Sequence, residues 1–437
     1  MISSGETWQN WGRTEKATPL RVERPKSAGA VQRAVAAAAG AGIPIKAVGA
    51  GHSFTGIAVA DGVLLDLDEL SGVVAVDEDR GLVTLSAGTR LSAIPRLIAR
   101  HGLAMENLGD IDSQSIAGAI STGTHGTGAR FRGIAAQVAG ATLVTGTGEL
   151  LHVDENDNAE LLPAVALGLG ALGILVDVTL RCVPAFDMHA LERPEPLDDV
   201  LASLGQRVEN ADHFEFYWFP HTQTALTKTN TRMPPGAARR PLPPAKRWVD
   251  DTLLSNGLYR ITCGLGRRIP SIVPRVNRMA EKLTGNREFT DQSSRVFTTK
   301  RTVRFREMEY AIPADRAAVV IDEVRRLIVS AGWNISFPIE VRFAASDDLW
   351  LSTATGRETC YIAVHRYVGE DPTAYFRAVE EIMIANDGRP HWGKMHWRDA
   401  GALRALYPRF DDFVAVRDRL DPARLFRNAY LQRVLGG

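Results

Sequence analysis

The sequence predicts a two-domain α+β protein, and three observations predict it. The chain has 437 residues, longer than a single hydrophobic core usually serves. Up to about residue 185, short helical and strand-like runs alternate, with glycine at nearly every junction. Near residue 186 the texture changes to longer helices and aromatic-rich strands such as "HFEFYWF" (213–219).

In chain order, "SAGAVQRAVAAAAGA" (27–41) places apolar residues three and four apart behind Ser27, a residue suited to cap a helix. A second helix is expected at "RLSAIPRLIARH" (90–101). Strands are expected at 63–67, 82–88, 141–148 and 173–183, where β-branched and apolar residues run between glycines. The Pro-, Arg- and Gly-rich stretch 232–247 reads as an exposed loop, with its charges on a solvated surface. Helices follow at 313–331 and 372–387. Internal repeats are not evident. The expected division is a cofactor domain at 1–185 and a second domain, completing a pocket, at 186–388.

Composition narrows the function classes. Fifty-one basic residues balance fifty-one acidic ones, so nothing general points to nucleic acid or an anionic membrane as partner. Three cysteines without CxxC spacing argue against a disulfide framework or a structural zinc site and suit a reducing cytosol. The first residues lack a signal-type apolar core, and no apolar run approaches the ~18 residues of a membrane span. A cytoplasmic protein without an integral membrane segment is expected. Peripheral membrane association stays open.

Residues 47–56 read "AVGAGHSFTG". Gly49 and Gly51 supply two glycines of a dinucleotide fingerprint, but Phe54 stands where the third belongs, and no Walker lysine follows. A Rossmann-type nicotinamide dehydrogenase is therefore disfavoured. Successive N–H groups in a glycine loop still form a concave anion site, and Ser53 adds a hydroxyl. Alone, the loop is equally a turn carrying a surface histidine, His52. Residues 109–128, "GDIDSQSIAGAISTGTHGTG", form a second small and hydroxylated run containing His125. Ser115, Thr122 and Thr124 there can donate to phosphate or a ring carbonyl; a solvated Ser/Thr loop is the alternative. A third stretch, "LGLGALGILVDVTL" (167–180), passes from glycine turn to strand.

Two later stretches carry reactive groups. In "FPIEVRFAA" (337–345), Glu340 and Arg342 fall on one face of a strand, placed to pair with each other or to grip a polyol. In "RPHWGKMHW" (389–397), His391, Lys394 and His396 form a poor ligand set, so no metal is expected.

The glycine-rich stretches, in this order, resemble the vanillyl-alcohol-oxidase-type flavoproteins. The likeness is strongest to the aldonolactone oxidoreductases and alditol oxidases, and it runs to the end of the chain, "LDPARLFRNAYLQRVLG". The resemblance implies a PCMH-type FAD-binding domain, a cap domain built on an antiparallel sheet flanked by helices, and a C-terminal segment, 389–437, packed back on the FAD domain. It implies that Val48, Gly49, Ala50, Gly51, Ser53, Ser115, Gly118, Thr122, His125 and Ile174 hold FAD, with His52 bonded to the flavin. It makes Arg342, Lys394 and Glu340 the catalytic group, Asp110 and His365 substrate contacts, and Gly109 a gate for oxygen. Alditol oxidases carry serine at the place of Asp110, which favours a lactone over a linear polyol. Expected partners are a sugar lactone or polyol and oxygen or an electron carrier.

Overall fold

A computed structural model describes residues 4–247, 257, 259–283, 285–299 and 301–437. In the N-terminal part, a short antiparallel pair, Trp8–Gln9 with Lys16–Ala17, precedes a three-stranded parallel sheet of β1 (Arg21–Glu23), β2 (Ile45–Val48) and β3 (Val63–Asp66), in the order β1-β3-β2. Helix α1 (Ala28–Ala41) links β1 to β2. The Ser27 side chain accepts from the Ala30 N–H at its start, and Gly42 closes it at φ 66°, a left-handed conformation glycine adopts without strain. Its buried face is Val31, Ala34, Val35 and Ala38, the three-and-four spacing visible in the sequence.

A five-stranded antiparallel sheet follows, made of β4 (Val73–Asp77), β5 (Leu82–Ser86), β6 (Val138–Val144), β7 (Leu150–Asp154) and β8 (Ile174–Arg181) in the order β7-β6-β8-β5-β4. Helix α2 (Ile116–Thr122) is capped by Ser115 and ends at Gly123. These elements share one hydrophobic core with Phe410, Phe413, Phe426 and Leu435 from the end of the chain. The Asn428 amide reaches the carbonyls of Gly56, Ile57 and Val59 at 2.9–3.1 Å, while its side-chain oxygen caps the last helix.

The second part is an eight-stranded antiparallel sheet: β9 (Asp187–Pro196), β10 (His213–Trp218), β11 (Thr224–Arg232), β12 (Arg287–Gln292), β13 (Phe305–Pro313), β14 (Ile339–Ala344), β15 (Thr359–Tyr367) and β16 (Arg389–Pro390). Their order is β12-β9-β11-β10-β14-β15-β13-β16. Helices α3 (Tyr259–Arg268) and α4 (Val273–Leu283) lie between β11 and β12 in sequence; α5 (Ala317–Ser330) and α6 (Thr373–Ala385) pack with the sheet into a second core.

Side-chain alternation makes this sheet two-faced. Phe214, Phe216 and Trp218, Met308, Tyr310 and Ile312, Ile339, Val341 and Phe343, and Ile362 and Val364 all join the helix-covered core. Every intervening position therefore faces the other way. Those positions include Glu215, Tyr217, Glu307, Glu309, Glu340, Arg342 and His365.

Some elements differ from expectation for local reasons. The helix expected at 90–101 is Ile94–Ala99, because Arg90 is engaged in a bridge to Ser115 and the helix opens around Pro95. Strand β6 stops at Val144, where Thr145–Gly148 turn. The loop at 232–247 is not wholly exposed: Leu242 is buried with Ala190 and Phe289, and Pro244–Arg247 form a helical turn. Among the described residues, no helix is long and apolar enough to cross a membrane.

Candidate active site

Two cavities meet at a common wall of His52, Ser53, Gln114 and Thr122. The first is lined by Val48 at the end of β2 and the loop after it (Gly49, Ala50, Gly51), by Ser115 and Gly118 at the start of α2, and by Ile174 at the start of β8. Three glycine-rich segments distant in sequence thus surround one space. They touch closely: a Cβ on Gly49 would lie 2.3 Å from Ser115 Oγ, and Gly51 sits at φ 66°. Among the described residues, none accepts a hydrogen bond from the backbone N–H of Ala50, Gly51, His52 or Ser53. Four consecutive unclaimed donors beside a cavity constitute an anion site, and this fits the pyrophosphate of a dinucleotide such as FAD.

His52 stacks on Trp11, with ring centroids 5.6 Å apart. Its Nδ1 is 3.1 Å from the Ala50 carbonyl, and its Nε2 is 2.9 Å from the Ser113 hydroxyl. Nδ1 therefore donates and Nε2 accepts. Burial, reinforced by Arg90, Lys394 and Arg304, lowers its pKa against the opposing Ala50 bond. The ring is neutral at pH 7, the form that can act as a nucleophile.

The second cavity is bounded by the polar face of the eight-stranded sheet. Register sets Glu215 opposite Arg342 and Tyr217 opposite Glu340. Arg342 Nε donates to Glu215 at 2.8 Å, and its Nη2 reaches Glu340 at 2.5 Å and the Tyr217 hydroxyl at 3.2 Å. Its Nη1 bonds no described residue and is not among the buried unpartnered atoms. Burial raises the Glu340 pKa even though Arg342 and Arg301 oppose it, because Glu215 and Asp110 stand nearby. Asp110 pairs with Arg301. Burial would raise its pKa, but Arg301, Lys228 and Arg342 win and bring it to about 2.

Lys394 pairs with Glu307 and lies 5.4 Å over the Phe54 ring. Burial would lower its pKa; Glu307 and Glu309 raise it instead, so it remains an ammonium. Glu307 is in turn brought to about 2, since Lys394 and His365 overcome its burial. His365 Nδ1 donates to the Pro338 carbonyl at 2.9 Å, leaving Nε2 3.6 Å from Glu307.

His125 is placed on this sheet side: it stacks on Tyr361 and its Nε2 is 3.2 Å from Glu309. It does not line the first cavity with the other expected FAD contacts. His125, Glu309 and His391 group their ligand atoms within 4.8 Å of one another. Glu309 there already answers His125 and the Lys394 charge, which together hold its pKa well down against burial. His396 lies elsewhere, bonded to Tyr430. Gly109 lines the second cavity, and an added Cβ would stand 3.0 Å from the His125 carbonyl. Glycine is thus favoured there by backbone packing as well as by any gating.

Sequence reasoning missed Arg301, Glu215, Tyr217, Lys228, Glu307 and Glu309. Four of these carried a signal, polar residues alternating with apolar ones: Glu215 and Tyr217 in "FEFYW", and Glu307 and Glu309 on either side of Met308 in "FREMEY". Arg301 follows no such pattern. Lys46 was missed as well. It lines the first cavity, and its Nζ donates to the Gly170 carbonyl at 2.9 Å. Burial lowers its pKa to about 7 despite Asp421.

An anion-binding loop opening on a pocket of paired charges fits a dinucleotide-dependent enzyme, the class to which flavoproteins belong. Comparison with known proteins agrees. Residues 19–154 match the FAD binding domain family, and residues 178–434 match the D-arabinono-1,4-lactone oxidase family. The chain is 45% identical over 429 residues to an L-gulono-1,4-lactone dehydrogenase of Mycobacterium tuberculosis, covering 98% of this chain and 99% of that one. It is 32% identical to the L-gulonolactone oxidase of Bos taurus, covering 98% of both chains. It is 32% identical to an alditol oxidase of a Streptomyces species, covering 98% of this chain and 99% of that one. A solved cholesterol oxidase of Brevibacterium sterolicum shares the fold, with a TM-score of 0.84 over 98% of this chain and 96% of that one at 19% identity. The protein belongs to the D-arabinono-1,4-lactone oxidase family and is an FAD-dependent oxidoreductase.

The ion pairs give a pH prediction. The folded pKa of Asp110, about 2, lies below its ordinary 3.8, so the stability it contributes is present above pH 3.8 and is lost as pH falls towards 2. Urea midpoints measured across that window are expected to drop for the native protein and to drop less for Asp110→Asn. Equal slopes would show that the pair contributes nothing.

Proposed function

We propose that the enzyme oxidises a secondary alcohol of a sugar-derived 1,4-lactone of the L-gulono-, L-galactono- or D-arabinono- type. The observation that carries this reading is the convergence of Arg342, Glu340, Lys394 and His365 on the cavity that shares its wall with His52 and the anion-binding loop. FAD, when bound, supplies the two-electron acceptor for the hydride leaving carbon.

The chain's own groups do the rest. Oxidation removes the hydroxyl proton as well as the hydride: as the proton passes to a basic group of the pocket, negative charge gathers on the alcohol oxygen, and fixed cations in a water-poor pocket stabilise it until hydride departs and the carbonyl forms. Arg342 fits this role because Glu215, Glu340 and Tyr217 immobilise it while Nη1 stays open. Lys394 offers a second cation. Glu340, whose acid is weakened by burial, is placed to bind a hydroxyl and to hold Arg342 in position. Asp110 with Arg301, and His365, shape the far side of the pocket. The charged Asp110–Arg301 pair supports a compact lactone over the linear polyol of an alditol oxidase, the competing reading. Electrons then pass to oxygen or to a carrier. Gly109 leaves the oxygen route unblocked by a side chain.

A neutral, half-buried His52 at the wall between the two cavities supports a covalent bond from the imidazole to the flavin's 8-methyl carbon. We also propose that residues 1–185 bind FAD, 186–388 form the cap and 389–437 return to the FAD domain while supplying Lys394. The shared core of the first and last segments supports that division. A cytoplasmic location agrees with three free, buried cysteines.

Anaerobic mixing tests the substrate class: L-gulono-1,4-lactone or a related aldonolactone is expected to bleach the flavin much faster than xylitol. Faster bleaching by xylitol would assign the alditol reading. Acid precipitation of the purified protein tests the linkage. The native pellet is expected to stay yellow and the His52→Ala pellet to be colourless; a colourless native pellet removes the covalent bond.

A further inference from the structure

The two helices inserted between β11 and β12 present an unusual outer surface. Across the described residues nine large apolar side chains are exposed, and four of them fall within one short segment: Ile261 at 60%, Leu265 at 44%, Ile269 at 51% and Met279 at 60%. Ile261 and Leu265 stand one helical turn apart on α3, Ile269 follows its end, and Met279 is on α4. The same segment carries six exposed cations, Arg260, Arg267, Arg268, Arg275, Arg278 and Lys282, against one carboxylate, Glu281. Arg260 is engaged with Thr302, and Arg267 lies near Glu370. Arg268, Arg275, Arg278 and Lys282 pair with no carboxylate among the described residues.

The exposure does not come from poor docking of the helices. Their inner sides are fixed to the body of the protein. Tyr259 donates to the Ser336 carbonyl at 3.1 Å, and the Asn277 amide reaches the carbonyls of Pro220 and Ile335 at 2.9 and 3.0 Å. Cys263 is buried with Phe54, Val303, Phe305 and Phe337. Each helix thus has one face committed to the fold and an opposite face that mixes Ile, Leu and Met with Arg and Lys.

We propose that the α3–α4 surface docks the enzyme on an anionic lipid bilayer. An amphipathic basic segment lying in the interface buries its apolar side chains at the headgroup boundary, while long cationic side chains remain at the charged surface. The apolar row gives insertion, and the excess of five positive charges selects negative lipid, each cation adding attraction that salt screens. A soluble acidic partner would use the cations but leave the Ile–Leu–Ile row unexplained. Docking here would bring the active-site cavity near the lipid: the Phe337 ring, which lines that cavity, packs against Tyr259 of α3 at 5.1 Å.

Flotation of the FAD-loaded enzyme with phosphatidylcholine vesicles, with and without phosphatidylglycerol, tests the proposal. Binding is expected to be on the order of ten-fold or more stronger with phosphatidylglycerol and to weaken at high salt. Two variants locate the surface, Ile261→Glu/Leu265→Glu/Ile269→Glu and Arg268→Glu/Arg275→Glu/Arg278→Glu. Each is expected to lose at least that much vesicle binding while keeping its flavin content, circular dichroism and turnover with a soluble dye acceptor. No binding by the native enzyme, equal binding to neutral vesicles, or unchanged binding by both variants would overturn it. So would light scattering that shows a dimer broken by the apolar variant without any vesicle binding, which would assign the surface to a second copy of the chain.

Discussion

The structure depends on one constraint, the strict alternation of the eight-stranded sheet. A strand sends successive side chains to opposite faces. Here that rule separates a helix-covered apolar core from a face crowded with charge. Neither face could exist without the other. The carboxylates and guanidinium of the polar face are tolerable because the other face buries Phe214, Phe216, Val341, Phe343, Ile362 and their neighbours. A one-residue slip of β14 would turn Glu340 and Arg342 into the hydrophobic core and bring Val341 to the cavity. The register of β10, β14, β15 and β13 is therefore also the geometry of the site.

Burying so many ions is costly unless they are paired, and the pairing divides them into two groups. Asp110, Glu215 and Glu340 are balanced by Arg301, Lys228 and Arg342. Glu307 and Glu309 face Lys394, His125 and His391. The first group fixes Arg342 from several sides; the second holds Lys394. Both cations are thus rigid before any substrate arrives, and a rigid charge stabilises a developing anion without first having to reorganise. Of these five carboxyls Glu340 is the one whose pKa is raised: burial outweighs Arg342 and Arg301, with Glu215, which shares Arg342, adding to the rise.

Much of this was legible in the sequence, for identifiable reasons. Ser27 with its apolar spacing marked α1, and "IEVR" marked both the strand and the shared face of Glu340 and Arg342. The glycine-rich stretches marked the first cavity, because glycine permits the close contact seen between Gly49 and Ser115. What was missed depended on tertiary neighbours. Arg301 acquires its role only by reaching Asp110 across 191 positions of sequence. Lys46 looks like an ordinary strand lysine until the fold buries it beside Gly170. His125, expected as an FAD contact from its glycine-rich surroundings, stacks on Tyr361 and pairs with Glu309 at the sheet side of the site. The start of the helix at Ile94 was masked by Leu91, which is buried at helical spacing but belongs to the preceding turn.

The central claim is that the sheet's polar face does the chemistry, with Arg342 as its principal electrostatic group. The rate of flavin reduction by an aldonolactone in anaerobic stopped flow, native against Arg342→Ala, tests it most directly. The account predicts a loss of about a hundred-fold or more in the limiting rate, with flavin content and the melting transition retained. A limiting rate within a few-fold of native, in a folded and flavin-loaded variant, would contradict it.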